Sequence, residues 1–451
     1  MSLTRRAFLQ SAATAPPRRP NFLFLLPDQH RFDWISGFEG IPVETPNLDA
    51  IAARGVRFSH AVVASPLCAP SRACLAAGKE YDQCRVRNNG DDYPLDQKTY
   101  YSLLREAGYH VAACGKLDLH KATLDWGLDG KRLLKEWGFS DGVDNEGKGD
   151  AIASGAVSPK GPYMAYLHAR GLAAAHVEDF QRRSKQGYAA TWSTPLPEDA
   201  YCDNWIAENG LALLRAIPAG RPWHLVVNFT GPHNPMDITF RMDKLRRQRR
   251  YRQPDAPGRY EPEVHNTIRQ NYTLMVENID RLCGLLLDEV RRRGEMENTI
   301  VVFSSDHGEM LGDHNRWGKS VPFEPSVRVP LVIGGPGIQA GRKSDALVSL
   351  IDVGATFLDF AGLPVPKDMA ARSLRPLLEG KSARHRDYVT SGLNSWRMVS
   401  NGRYKLITGF GEKTGGPPLL FDLESDPFEN RDLSASSPRL VKTLSELIPK
   451  A

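Results

Sequence analysis

Four apolar runs, each stopping at a polar cluster, constrain this chain more than any other feature of its sequence. Asn21-Phe22-Leu23-Phe24-Leu25-Leu26 stops at Pro27-Asp28-Gln29, and Val111-Ala112-Ala113-Cys114 stops at Gly115-Lys116-Leu117-Asp118-Leu119-His120. His224-Leu225-Val226-Val227-Asn228-Phe229 leads into Gly231-Pro232-His233, and Thr299-Ile300-Val301-Val302-Phe303 into Ser304-Ser305-Asp306-His307. Near-continuous apolar runs suit strands buried on both faces of a parallel sheet. In open α/β sheets the ligand site lies beyond the carboxyl ends of the strands. Four such ends bearing acids, an amide, imidazoles and an amine predict an enzyme of the α/β class.

Helix signals fall between the runs. Thr45 stands as an N-cap before Pro46, with Gly55 as terminator, and residues 100–107 form a short helix closed by Gly108. Met275, Ile279, Leu282, Leu286 and Val290 keep helical spacing up to Gly294, and residues 352–360 form another helix after the short strand Leu331-Val332-Ile333. From about 126 to 194 the periodicity weakens, as in a substrate-side insertion carried on the core. Trp137, Tyr188 and Trp192 read there as packing residues, with a sugar-lining role as the alternative. Toward the end, Trp396-Arg397-Met398-Val399, Tyr404-Lys405-Leu406-Ile407 and Leu419-Leu420-Phe421-Asp422 read as short strands with Gly-rich turns, closed by a helix over 438–447. The expected division is a tail or signal over 1–19, a catalytic α/β domain over 20–380 and a small α+β subdomain over 381–451.

A chain of 451 residues is long enough for both units. The net charge of +5 is modest, and its densest basic cluster, 241–252, reads as a solvated helix face or loop, with a polyanion contact as the minor reading. Nothing points to nucleic acid, and no apolar run approaches a membrane span. The six cysteines show no paired spacing, so neither a disulfide framework nor a zinc site follows. Leu3-Thr4-Arg5-Arg6-Ala7-Phe8-Leu9-Gln10 resembles a twin-arginine export signal, although its apolar stretch is short. A periplasmic or secreted protein is expected; a disordered basic tail on a cytoplasmic one is the alternative.

The stretch Ser65-Pro66-Leu67-Cys68-Ala69-Pro70-Ser71-Arg72 ends a loop and starts a helix. Cys68 sits at a helix N-terminus, where free N–H groups favour an anion, and Arg72 adds a planar donor. On these residues alone a low-pKa nucleophile and a small buried hydrophobe both stand. Asp28, Gln29 and Asp306 offer hard oxygen ligands, suited to Ca²⁺, Mg²⁺ or Mn²⁺. A cation held there neutralises a sulfate or phosphate oxygen.

Cys-x-Pro-Ser-Arg resembles the type I sulfatase signature. So do Thr-Pro-Asn-Leu-Asp, Gly-Lys, Pro-His, Ser-Asp-His-Gly-Glu-x-x-Gly-Asp-His and Trp-Gly-Lys-Ser-x-Pro-x-Glu-x-Ser-x-Arg-Val-Pro-Leu, spread from Pro20 to Pro427. Together they are similar to the sulfatase branch of the alkaline phosphatase superfamily. The resemblance implies a large, mostly parallel mixed sheet sandwiched by helices. It implies that a formylglycine-generating enzyme oxidises Cys68 to formylglycine, whose hydrate attacks the ester with one oxygen and later expels the product with the other. Asp28, Gln29, Asp306 and His307 would bind the metal, usually Ca²⁺, together with that residue. Arg72 would hold the gem-diol, Lys116 and Lys319 the sulfate oxygens, and Lys319 or His233 would protonate the leaving group. Asn89 is a weaker substrate contact, its register ambiguous by one residue.

Two departures stand out. Gln29 with His307 also resembles phosphonate monoester and phosphodiester hydrolases, some of which use Mn²⁺. Many relatives read Gly-Lys-Trp-His-Leu, whereas here Asp118 replaces the imidazole and His120 follows two residues later. Both Asp118 and His120 are candidate substrate contacts. The expected function is hydrolysis of a sulfate ester on a small molecule or glycan, most readily a carbohydrate. The alternatives are a phosphonate or phosphodiester hydrolase and a non-catalytic sulfoglycan-binding protein.

Overall fold

The computed structural model describes residues 19–254, 258–411 and 415–448; the twin-arginine segment lies outside them. Eight strands form one sheet in the order β4-β3-β5-β1-β6-β7-β2-β8. They are β1 (Asn21–Leu25), β2 (Gly55–Val62), β3 (His110–Gly115), β4 (Asp141–Asp144), β5 (Trp223–Asn228), β6 (Thr299–Phe303), β7 (Arg328–Gly334) and β8 (Arg342–Ser349). All neighbours pair in parallel except β7, which runs antiparallel to β6 and β2. The four runs read as strands are β3, β5, β1 and β6, and they lie side by side.

The apolar runs are continuous because both faces of the sheet are covered. Phe22 and Phe24 of β1 meet Phe357 of the helix Asp352–Phe360 at ring separations of 4.9 and 5.7 Å. Leu75 of the helix Cys68–Ala77 and Leu104 of the helix Tyr100–Glu106 join the same cluster. Leu23 and Leu25 point the other way, toward Ile206 and Leu214 of the helix Cys202–Ala216 and Ile279 and Leu286 of the helix Pro262–Arg292. Each such buried side chain contributes about 1.5–3 kcal/mol.

Local signals were sometimes right in place but different in cause. Thr45 holds the N-cap position of the helix Pro46–Ala53, yet its hydroxyl serves Ser36; Asp280 accepts from the amides of Asn47 (3.2 Å) and Leu48 (2.9 Å) instead. Gly55 is not the helix terminator but the first residue of β2. A Cβ there would lie 1.9 Å from the Ile333 carbonyl oxygen, so the strand contact requires glycine. β2 itself escaped the sequence reading because Arg57, Ser59 and His60 break its apolar pattern.

The insertion is more ordered than its weak periodicity suggests, with helices Gly149–Gly155, Pro162–Ala169 and Ala173–Ser184. The basic cluster is partly tied down, Arg249 to Glu277 at 2.8 Å and Arg247 to Glu44 at 2.6 Å. All six cysteines are free and buried. No helix among the described residues is long and apolar enough to cross a membrane.

Four antiparallel strands form a second sheet, β12-β11-β10-β9: β9 (Val389–Leu393), β10 (Trp396–Ser400), β11 (Tyr404–Thr408) and β12 (Leu419–Asp422). The helix Pro438–Ser445 closes it, Leu444 packing with Val399, Leu406 and Leu420. Lys405 on β11 fastens this sheet to the large domain. Its ammonium lies 3.0 Å from Glu324 and 2.8 Å from Glu429, all three side chains buried.

Candidate active site

The carboxyl ends of four adjacent strands deliver the site. Asp28 and Gln29 follow β1, Lys116 follows β3, Asn228 ends β5 ahead of His233, and Asp306 and His307 follow β6. Gly115 has φ +93°, and a Cβ there would lie 1.9 Å from the Asn228 carbonyl oxygen. Only glycine lets β3 deliver Lys116 at that approach. Cys68 opens the helix Cys68–Ala77 above these ends. The Ser71 hydroxyl donates to the Asp306 carbonyl, and the Ser320 amide to the Pro66 carbonyl at 3.0 Å, which locks the start of that helix over the sheet.

Asp28, Cys68, Asp306 and His307 are fully buried, and one donor atom from each lies within 4.8 Å of the others. Cys68 Sγ is 3.3 Å from His307 Nε2 and 3.9 Å from Asp28 Oδ1. His307 Nε2 is 3.5 Å from Asp28 Oδ1 and 3.7 Å from Asp306 Oδ2. With its proton on Nδ1, 3.1 Å from the Gly308 carbonyl, His307 turns an Nε2 lone pair toward the acids. Two carboxylate oxygens converging on an imidazole lone pair fit a divalent cation, and hard oxygens dominate the set.

Arg72 donates from Nε to Asp306 (2.9 Å) and from Nη1 to the Lys116 carbonyl and Asn228 (2.9 Å). Its Nη2 is buried without a hydrogen-bond partner among the described residues and stands 3.7 Å from Asp28. A spare donor there fits an oxygen-bearing group at position 68.

The electrostatics favour anions. Burial and Asp28 push the Cys68 thiol up, but Lys116, Lys319 and His307 outweigh them and hold it well below its ordinary value. Burial likewise opposes the charge on Asp28, and Lys116, His233, Lys319 and His307 reverse the effect. Lys116 is raised well above the ordinary lysine range: burial lowers it, while Asp118 and Asp28 more than compensate.

Gln29, with φ +67°, donates its amide to Asp306 Oδ1 at 3.0 Å, and its side-chain oxygen accepts from Lys319 Nζ at 2.6 Å. A cation using that oxygen shares it with Lys319. His233 is half-buried, its Nδ1 2.5 Å from the Asn234 carbonyl. The Ala69 amide donates to Asn89 Oδ1 at 3.1 Å, which places Asn89 beside the nucleophile turn. Asp118 pairs with Lys116 at 2.9 Å. His120 spends its ring on the Asp125 carbonyl (2.8 Å) and faces Asp92 (3.7 Å); Lys121, one residue on, is the side chain that joins Asp118.

Sequence reasoning gave no role to Glu309, Asn228 or Lys121. Buried Glu309 accepts from the Gln29 side-chain amide, from the Tyr188 hydroxyl at 2.9 Å and from the amides of Leu311 and Gly318. Its place in Ser-Asp-His-Gly-Glu was the available signal. Tyr188 therefore reaches the site from the insertion. Trp137 is core, and Trp192 lies under Arg182 and Arg183.

Fold and site define an α/β protein whose strand ends gather a buried Asp–Cys–Asp–His group beneath cationic side chains, an arrangement suited to an anionic ligand. The profile of the sulfatase family matches residues 20–363, and that of the N-sulphoglucosamine sulphohydrolase C-terminal region matches 312–448. The chain belongs to the sulfatase family, within the alkaline phosphatase superfamily, and is a sulfuric ester hydrolase. It is 27% identical to an arylsulfatase of Clostridium perfringens, over 92% of this chain and 90% of that protein. It is 29% identical to an N-acetylglucosamine-6-O-sulfatase of Bacteroides thetaiotaomicron, over 85% and 76%. The solved phosphonate monoester hydrolase of Agrobacterium radiobacter shares the fold, with a TM-score of 0.78 at 24% identity over 95% and 94%.

One prediction follows from the cluster's charge. Burial lowers the His307 pKa, but Asp306 more than offsets this and holds it above the ordinary value. Because a cation requires neutral Nε2, its binding displaces that proton. Titrations with a divalent cation, followed by calorimetry, should show affinity rising by about tenfold or more from pH 6 to pH 8. A flat affinity over that range would count against His307 as a ligand.

Proposed function

We propose that this protein hydrolyses a sulfate ester on a carbohydrate, using formylglycine made from Cys68 and one bound Ca²⁺. The observation that carries this reading is the buried Asp28–Cys68–Asp306–His307 cluster at a helix start, ringed by Lys116, Lys319 and His233. Formylglycine at position 68 would supply a hydrated aldehyde as nucleophile, and a cation held by Asp28, Asp306 and His307 would supply charge neutralisation for it and for the ester oxygens. Arg72 Nη2 holds an oxygen at position 68. Lys116 and Lys319 neutralise the charge that develops on the sulfate, and Lys319 or His233 delivers a proton to the departing alcohol. Carbohydrate as the carrier draws support from the N-acetylglucosamine-6-O-sulfatase relative. Maturation needs a formylglycine-generating enzyme. The Arg5-Arg6 segment supports export to the periplasm, which cell fractionation tests.

A second reading, phosphonate or phosphodiester hydrolysis, draws support from the His307 nitrogen and the Gln29 amide at the cluster. Turnover of an aryl sulfate and an aryl phosphonate, each with Ca²⁺ and then Mn²⁺, separates the two. Sulfate turnover at least tenfold faster in kcat/KM with Ca²⁺ is the expected result. A phosphonate preference that holds with both metals would reverse the assignment.

A further inference from the structure

We propose that Lys121 is a substrate-binding residue, its ammonium held beside Lys116 by Asp118 and Asp150 so that the two lysines grip two oxygens of the sulfate. The inference rests on the sulfatase reading above and names a contact within that site. Asp118 is a buried non-glycine residue with φ +52°, a strained backbone that turns its carboxylate back under the site. Its Oδ2 lies 2.9 Å from Lys116 Nζ, and both its oxygens lie 3.3 Å from Lys121 Nζ. Lys121 also meets Asp150, and Lys116 also meets Asp28. The result is a row of alternating charge, Asp28–Lys116–Asp118–Lys121–Asp150. It runs from the fully buried floor beside Cys68 to Asp150, whose side chain is 27% exposed.

Lys116 is shared between Asp28 and Asp118, so an Asp118 carboxylate without a second cation would repel a sulfate arriving beside Lys116. Lys121 removes that obstacle. An ammonium has three donors. Lys116 meets one oxygen of Asp28 and one of Asp118 and keeps one donor. Lys121 stands equally far, 3.3 Å, from both Asp118 oxygens, so one N–H serves that carboxylate, a second serves Asp150 and the third is left for the substrate. Asp118 thus spaces two cations instead of cancelling one. The loop is also fixed relative to the nucleophile: the Ala122 amide (2.8 Å) and the Thr123 hydroxyl donate to Asp92, three residues from the Asn89 that binds the Ala69 amide.

The test uses the matured, metal-loaded enzyme, with inorganic sulfate as competitive inhibitor and an aryl sulfate as substrate. Lys121→Met is expected to raise both the sulfate inhibition constant and KM by about tenfold or more, the loss of one charge-assisted hydrogen bond. Lys121→Arg, which keeps the charge but not the compact ammonium, should lose less than Lys121→Met, and Asp118→Asn/Lys121→Met should remain as weak as Lys121→Met. If Lys121→Met fails to fold, Lys121→Gln carries the same expectation. Restoration of sulfate binding by the added Asp118→Asn change would mean that Lys121 only neutralises Asp118, and an unchanged inhibition constant in Lys121→Met would equally overturn the proposal. A wild-type enzyme that neither cleaves the aryl sulfate nor responds to inorganic sulfate would instead defeat the sulfatase reading beneath it.

Discussion

Replacing Cys68 by Ser is expected to lower kcat by about 10⁴-fold or more, the scale seen when a covalent nucleophile is removed. Cys68 is buried, and the change removes little volume and adds no bulk, so the fold and the acids around it should persist. The chemistry should not persist. A serine hydroxyl that stays an alcohol cannot form the hydrate that both attacks the ester and expels the product. Mass spectrometry of the wild-type peptide spanning Cys68 supplies the companion measurement: conversion to the aldehyde removes about 18 Da from the cysteine form. Wild-type protein carrying that loss, beside an inactive Cys68→Ser that still binds Ca²⁺, is the expected pair of results. A Cys68→Ser enzyme that keeps most of its turnover while its peptide carries an intact serine would show that the nucleophile lies elsewhere.

Lys405→Met should cost about 3–5 kcal/mol of stability at pH 8, the usual result of breaking a buried ion pair from one side. Lys405 is the ammonium between Glu324 and Glu429; removing it strands Glu429 and leaves Glu324 with Arg328 at 3.6 Å, at the junction of the two sheets. Wild type already shows the tension. Burial raises the Glu429 pKa to about 7 against the pull of Lys405, with Glu324 adding to the rise, whereas Lys405 and Arg328 hold Glu324 below its ordinary value.

In linkage terms, a folded pKa above the unfolded one means that the folded state keeps a proton the unfolded chain has lost. Stability from Glu429 is therefore complete below about pH 4.3, the unfolded value, and is lost as pH rises through about 7. Glu324 has the opposite sign: its contribution is present above that unfolded value and is lost as pH falls below it. Of these two acids, Glu429 is the one whose contribution changes between pH 5 and pH 8. Urea unfolding of Lys405→Met at those two pH values should show a markedly smaller loss at pH 5, where protonation relieves the stranded acid. Equal losses at both would assign the damage to packing and not to charge.

How much of this was legible in advance depended on distance along the chain. The four strands β1, β3, β5 and β6 were readable because each carries its evidence within six residues: an apolar run for burial on two faces, then a polar stop. The polar stops named Asp28, Gln29, Lys116, His233, Asp306 and His307. The helix signals named Cys68 and Arg72. β2 was not readable, because a strand beside the antiparallel β7 tolerates Arg57 and His60 half-buried, so its pattern resembles no single template.

Sequence by itself determined which residues end strands, which residue opens a helix and hence the kind of chemistry the chain supports, since secondary-structure periodicity and capping are local. Tertiary structure alone decided that β3, β5, β1 and β6 are neighbours and that Lys121, not His120, joins Asp118. It also decided that Glu309 and Tyr188 close around Gln29, and that Lys405 is held between Glu324 and Glu429. Most of these contacts join segments far apart in the chain, 280 positions for Gln29 and Glu309. Where the residues are close, as at Lys121, the loop's backbone settles which side chain turns inward. A buried polar group takes whichever partner packing brings within hydrogen-bond reach, and that choice is made only when the chain closes on itself.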